Sequence, residues 1–241
     1  MLNLGKLYRQ VYALICGRHP NVFPWHFQWL STLYLHRSLS GLLPNLGGKV
    51  LDVGCGNKPY KSWFGDVIEY IGIDVTSGAD VDIVIDSNKA WNITDEHFDV
   101  LLVTQVIEHV ENLDLVLNEM SRVTKRGGVV IASFPFLYSL HGTPYDFRRF
   151  THLGAVNLLS GFEVVSVGRQ GGIGSTLVIL FLNWVDASLS NAFVARAIRA
   201  LIMPLFIIVS LCLNLFGVLL DKLDRTNAFY SNVLLIARKK V

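Results

Sequence analysis

The chain has 241 residues, room for one α/β domain with an appendage around a single large core. Hydrophobic residues make up 51% and charged residues 17%, with a mean hydropathy of +0.42, whereas soluble domains carry about a quarter charged residues, so some of the apolar surplus belongs outside a soluble core. A net charge of +2 gives no basic field for nucleic acid, and three scattered cysteines without a CxxC pair suggest neither a disulfide framework nor a zinc site.

Residues 1–48 read as a helical arm with aromatic residues Phe23, Trp25, Phe27, Trp29 and Tyr34. Packing onto a sheet, a lid, and a membrane-facing arm are all open for it. The apolar run 11–16 is shorter than a secretory core and no small-residue cleavage site follows, so no signal peptide is expected. From 49 to 168 short apolar runs alternate with helical patterns, the signature of a parallel sheet with crossover helices. Strands are predicted at 50–53, 70–74, 82–85, 98–103, 129–134 and 163–167, and a last one at 232–238. The clearest helix is predicted at 113–125, with Asn112 as its cap and Gly127 as its left-handed stop. The seven histidines lack spacings that place two imidazoles on one helical face, so no metal site is expected.

After the first strand the chain reads Asp52-Val53-Gly54-Cys55-Gly56-Asn57, a turn with glycines two apart, where a backbone without Cβ can approach a ligand. Asp74 ends the next strand, at the distance where a carboxylate reaches the ribose hydroxyls of an adenosine. A nicotinamide dinucleotide would use the same layout, but its third glycine is replaced by Pro59. Proline lacks the N–H and the compactness that a pyrophosphate cradle needs. S-adenosylmethionine (SAM) has no phosphate, so it fits better than NAD.

Residues 50–56, 70–74, 82–86, 98–100, Val106-Ile107-Glu108-His109-Val110 and 123–128 resemble the motifs of class I SAM-dependent methyltransferases. The stretch Phe134-Pro135-Phe136, His141, Pro144-Tyr145-Asp146, Arg149 and Thr151 is similar to type 11 members that accompany bacterial surface-polysaccharide enzymes. The resemblance implies a Rossmann-like seven-stranded sheet, and in this chain an apolar helical insertion falls between the last two strands. It also implies that Gly54, Cys55 and Gly56 line the methionine half of SAM and that Asp52 supports their turn. Asp74 would bind the ribose, Asp86 or Ser87 the adenine amino group, and Gln105 would lie beside the sulfonium. Many members carry a glycine where this chain has Lys58.

Because a sulfonium methyl is already electrophilic, the protein has to align donor and acceptor, exclude water and remove a proton from a hydroxyl nucleophile. His141 is the candidate base and Asp146 its orienting partner, with a backbone-bonded loop histidine and a structural ion pair as the competing readings. Tyr145, Arg148 and Arg149 are candidate acceptor contacts, the arginines suiting a phosphate or carboxylate. His109 reads more readily as structural. The rival functions are an NAD-type oxidoreductase and a non-catalytic membrane-associated binding module.

Residues 171–230 hold two uncharged apolar segments, 171–185 and 200–220. As a helix the second would be about 31 Å long, matching a bilayer core of about 30 Å. If the flanking strands share a sheet, the number of crossings is zero or two. Ser210, Asn214, Gly217 and Asp221 give the second segment a polar stripe, and Arg196, Arg199, Lys222 and Arg225 flank it. A monotopic hairpin in the cytoplasmic face of a membrane is expected, with helices folded on a soluble body or a double crossing as alternatives. The expected organisation is an arm at 1–48, a SAM-binding domain at 49–170 plus 231–241, and the insertion at 171–230. SAM and a glycan, lipid-linked or other small acceptor are the expected partners, with a lipid or quinone-like acceptor as the alternative.

Overall fold

The alternation of strand and helix patterns beyond residue 48 builds one mixed sheet in the computed structural model, which describes residues 4–18, 20–189 and 198–241. Its strands are β1 (Gly48–Val53), β2 (Val67–Asp74), β3 (Ile83–Val84), β4 (Phe98–Thr104), β5 (Thr124–Pro135), β6 (Phe162–Gln170) and β7 (Asn232–Lys239). They lie in the order β3-β2-β1-β4-β5-β7-β6, parallel except for β7, which runs antiparallel to both neighbours. The expected α/β architecture is therefore present, with its apolar insertion between β6 and β7. Continuous apolar runs such as Val100 to Val103 are buried throughout, as parallel strands covered on both faces require.

The described residues form two compact units. The sheet unit is Leu35–Phe136, Leu140–Gln170 and Asn232–Val241; the helical unit is Met1–Tyr34, Leu137–Ser139 and Gly171–Ser231. The segment read as an arm over 1–48 is thus shared, its division falling within the second helix, Trp29–Leu42. In the sheet unit Leu35, Leu39 and Leu43 pack on Val50, Val100, Leu102, Ile131 and Leu234. Full burial of each such side chain contributes about 1.5–3 kcal/mol.

Two local expectations shift. The helix expected at 113–125 spans Leu113–Val123, started as anticipated by Asn112, whose side chain accepts from the Leu115 amide. It ends early because Thr124 turns directly into β5, so Gly127, at φ +76°, serves the strand rather than the helix cap. The third strand is only Ile83–Val84, since the Asp82 carboxylate is turned to the Gly72 amide (2.6 Å) and Lys58 Nζ (2.5 Å).

In the helical unit the principal helices are α1 (Leu4–Cys16), the start of α2 (Trp29–Leu42), then, beyond α3 (Leu113–Val123) and α4 (His152–Val156) of the sheet unit, α5 (Ile173–Ser188) and α6 (Met203–Leu223). Tyr8, Tyr12 and Cys16 of α1 share a core with Leu30, Val178, Ile179, Leu182 and Phe206. A Cβ on Gly174 would stand 2.3 Å from the Gly217 carbonyl, so α5 and α6 meet through their backbones. The first turn of α5 is satisfied by acids from the far end of α6: Asp221 accepts from the Ser175 amide (2.9 Å) and Asp224 from the Ile173 amide (3.0 Å).

The polar stripe of α6 points into this unit. Ser210 and Asn214 are fully buried, Asn214 donates to the carbonyls of Pro24 and His26, and Tyr34 donates to Asp221. Leu205, Ile208, Leu215, Phe216, Leu219 and Leu223 are exposed, as are Leu177, Phe181 and Trp184 of α5. Arg199 pairs with Asp186, while Arg196 lies outside the described residues.

Candidate functional site

At the carboxyl ends of β1 and β2 the glycine turn is fixed by backbone bonds: the amides of Gly54 and Cys55 both donate to the Ile73 carbonyl, at 2.8 and 3.1 Å. Gly54 has φ +68°, and a Cβ there would sit 2.4 Å from a Val106 methyl, so only glycine lets the turn lie against the loop after β4. Gly56, at φ +49°, has open space where a Cβ would be. Asp74 ties the two strands together, accepting from the Gly56 amide (3.1 Å) and, through its other oxygen, from the Thr76 amide (3.0 Å). Two glycines and a strand-end carboxylate are therefore held at one sheet edge, as the ribose and amino-acid ends of a SAM-like ligand demand.

Asp52 is buried, and its Oδ2 accepts from the Tyr70 hydroxyl (2.8 Å). Burial pushes its carboxyl up to about 7. Lys58 adopts φ +50° and sends its amine to Asp82, across the Tyr70 ring. Asp86 is exposed and pairs with Lys89 (2.9 Å) while accepting from the Asn88 amide; Ser87 follows it in the same turn.

Gln105, at φ +56°, begins a ladder of amides across the sheet. It donates to Ser133 Oγ (3.1 Å) and to Asn232 Oδ1 (2.9 Å), Asn232 donates to Gln170 Oε1 (2.6 Å), and Gln170 donates to Ser38 (3.0 Å). These bonds fix the end of β4 against β5, β7 and β6.

The loop after β5 folds over the turn after β4. Phe147 N–H donates to the Glu108 carbonyl (2.9 Å), and Arg148 donates to the carbonyls of Val110 and Glu111. Arg149 holds Asp146 in a two-pronged pair (2.5 and 2.7 Å), and that guanidinium keeps the Asp146 carboxyl well below the usual carboxylate range. Both arginines, expected to bind an anionic acceptor, are thus engaged in positioning the loop itself. Tyr145 presents an exposed ring, whereas its carbonyl lies 2.6 Å from His109 Nδ1.

His141 and Asp146 come together as expected: the carboxylate accepts from the His141 amide (2.9 Å) and lies 3.4 Å from Nδ1. Two further residues join them. The His109 and His141 rings stand edge to face with centroids 4.7 Å apart, and Glu108 Oε1 lies 3.9 Å from Nε2 of each. Glu108 is fully buried, neither carboxyl oxygen has a hydrogen-bond partner among the described residues, and burial raises its carboxyl to about 8. Sequence reading missed Glu108 and set His109 aside as structural. The available signal was an acid inside the otherwise apolar run Val106-Ile107-Glu108-His109-Val110 at a strand's carboxyl end.

Residues 51–132 match the model of a methyltransferase domain. A ubiquinone biosynthesis O-methyltransferase of Agrobacterium fabrum is 32% identical over 112 residues, covering 41% of this chain and 42% of that protein. Matches span 41–64% of the length of the curated relatives. Among solved structures, a [4+2]-cyclase, SpnF, superposes with a TM-score of 0.58 at 18% identity, over 99% of this chain and 95% of that one. A SAM-dependent methyltransferase from Archaeoglobus fulgidus gives 0.52 at 16% identity, over 96% and 99%. Residues 51–132 are thus similar to a methyltransferase domain, and the solved structures share the chain's Rossmann-like α/β fold.

Proposed function

We propose that this protein transfers the methyl group of SAM to a hydroxyl of a glycan, a lipid-linked sugar or another small acceptor held at a membrane surface. The observation that carries the donor half is the Gly54 to Gly56 turn locked to Asp74, with Pro59 where a pyrophosphate-binding glycine would stand. In line with this, the acceptor hydroxyl loses its proton to His141, which Asp146 orients and Arg149 steadies. No covalent intermediate is involved, so alignment and water exclusion supply the rate.

The membrane half is supported by the inverted polarity of α6, which buries its polar stripe and exposes its apolar flanks, and which is long and apolar enough to cross a membrane. Gln170 pairs with Asn232 across β6 and β7, so the chain leaves and re-enters the sheet at neighbouring positions. That favours a helical unit embedded in one face of the membrane, the cytoplasmic one, over a single crossing. A quinone-like acceptor is the second reading, prompted by the relative named for ubiquinone biosynthesis.

Calorimetry with SAM and with NAD tests the donor: SAM alone should bind, and well-folded protein that ignores SAM overturns the reading. Labelled methyl from SAM should enter a membrane-glycolipid extract; labelling confined to a quinone extract selects the second acceptor class. Recovery of the protein in the soluble fraction without detergent or high salt refutes the membrane half.

A further inference from the structure

A carboxyl and two imidazoles come together beside the acceptor loop. A carbonyl can only accept, so the 2.6 Å contact of His109 Nδ1 with the Tyr145 carbonyl places the ring proton on Nδ1 and, in the neutral ring, leaves a lone pair on Nε2. The Asp146 carboxylate, 3.4 Å from His141 Nδ1, imposes the same tautomer there. Each Nε2 then faces Glu108 Oε1 at 3.9 Å, too far for a hydrogen bond. Without a cation the buried Glu108 carboxyl has no hydrogen-bond partner among the described residues and favours its protonated form; a cation bound among the three groups would satisfy it as a carboxylate.

We propose that Glu108, His109 and His141 bind a divalent first-row transition metal. Their donor atoms all lie within 4.8 Å of one another. Ligands about 2.1 Å from a common ion stand roughly 3–3.5 Å apart, so closing the site needs shifts of roughly half to one ångström per ligand. Two imidazoles and one carboxylate suit Mn²⁺, Co²⁺ or Zn²⁺ better than Mg²⁺ or Ca²⁺. The scaffold is braced for this: Phe147 N–H pins the Glu108 main chain, and a Cβ on Gly142 would meet the His109 ring at 2.9 Å, so the loop backbone lies against that imidazole. Three protein ligands leave coordination positions open, the arrangement of a catalytic rather than a structural ion; with Nε2 of His141 on the ion, an acceptor hydroxyl held at an open position would lose its proton more readily there, in place of direct transfer to the imidazole. The absence of a metal expected from histidine spacing fails to anticipate this cluster because its ligands come from two loops, after β4 and after β5, rather than from one helix.

The claim does not rest on methyl transfer, since metal uptake is measured without SAM or acceptor. The whole chain, stripped with chelator and dialysed, is titrated with Co²⁺, followed by its visible absorption, and with Mn²⁺, followed by loss of the free-ion electron paramagnetic resonance signal. One ion per chain should bind, and Glu108→Gln and His141→Asn should each weaken binding at least tenfold. Thermal melts confirm folding; His141 is partly exposed in its loop, so His141→Asn serves even where Glu108→Gln does not fold. No uptake of either ion by folded protein, or equal uptake by wild type and His141→Asn, overturns the proposal.

Discussion

Replacing Asp52 by asparagine isolates the energetic effect of one buried acid in β1. Asp52 is 2% exposed, and burial raises its carboxyl to about 7, against the opposing Tyr70 hydroxyl bond and Lys58 charge and with a smaller push from Asp74. In the unfolded chain the same group titrates near its ordinary value of about 3.9. Between those values the folded state binds the extra proton, so the sign is negative: stability falls as pH rises from about 4 to about 7 and stays low above. Three units correspond to about 4 kcal/mol at 1.36 kcal/mol per unit. Asparagine cannot ionise and still offers an oxygen to Tyr70, so Asp52→Asn should match wild type near pH 4 and exceed it by up to about 4 kcal/mol near pH 8. Urea unfolding followed by tryptophan fluorescence at both pH values measures the gap, in which all other titrations cancel. A difference that does not change with pH refutes the reasoning.

Other expectations follow from the site's geometry. Gly54→Ala forces a methyl to within 2.4 Å of Val106 at positive φ, so calorimetry should find SAM affinity reduced more than tenfold. Asp74→Asn removes the charge that holds the Gly56 and Thr76 amides and that, in the proposed function, meets the ribose; at about 1.5–3 kcal/mol for a charged hydrogen bond, SAM affinity should fall by roughly 10- to 100-fold. Asn232→Ala strips partners from Gln105 and Gln170 at once and should cost about 1–3 kcal/mol in urea unfolding, with SAM affinity changing less than with Asp74→Asn. Lysine at both Ile208 and Leu219, exposed positions of α6, should leave the fold intact but shift the protein out of the membrane pellet on fractionation.

The sheet was legible because local pattern and tertiary demand agree there. Runs such as Val100 to Val103 are apolar because both faces of β4 are covered, and the glycine turn is written into neighbouring residues. The Asn112 cap is equally local. What stayed hidden depends on contacts distant in the chain. The sequence leaves Arg149 open between its near neighbour Asp146 and a ligand, and nothing near Glu108 says that His141 will lie beside it. The amide ladder from Gln105 to Ser38 links the residue after β4 with β5, β7, β6 and α2, each unremarkable alone.

The apolar surplus in the composition has a location, and its magnitude bears on the setting in which this protein works. On a helix at a soluble surface, Ser210 and Asn214 would face water and the leucines would face inward; α6 does the opposite. Nine side chains, the six named on α6 and Leu177, Phe181 and Trp184 on α5, are about half exposed or more. If each forfeits roughly 1 kcal/mol of burial, water would cost the fold on the order of 10 kcal/mol, comparable with the entire net stability of a domain, about 5–15 kcal/mol. The proposed membrane surface would remove that cost without any change in the helices. Burying the polar stripe is then consistent too, since Asn214 and Asp221 find partners in Pro24, His26 and Tyr34 that hydrocarbon could not offer.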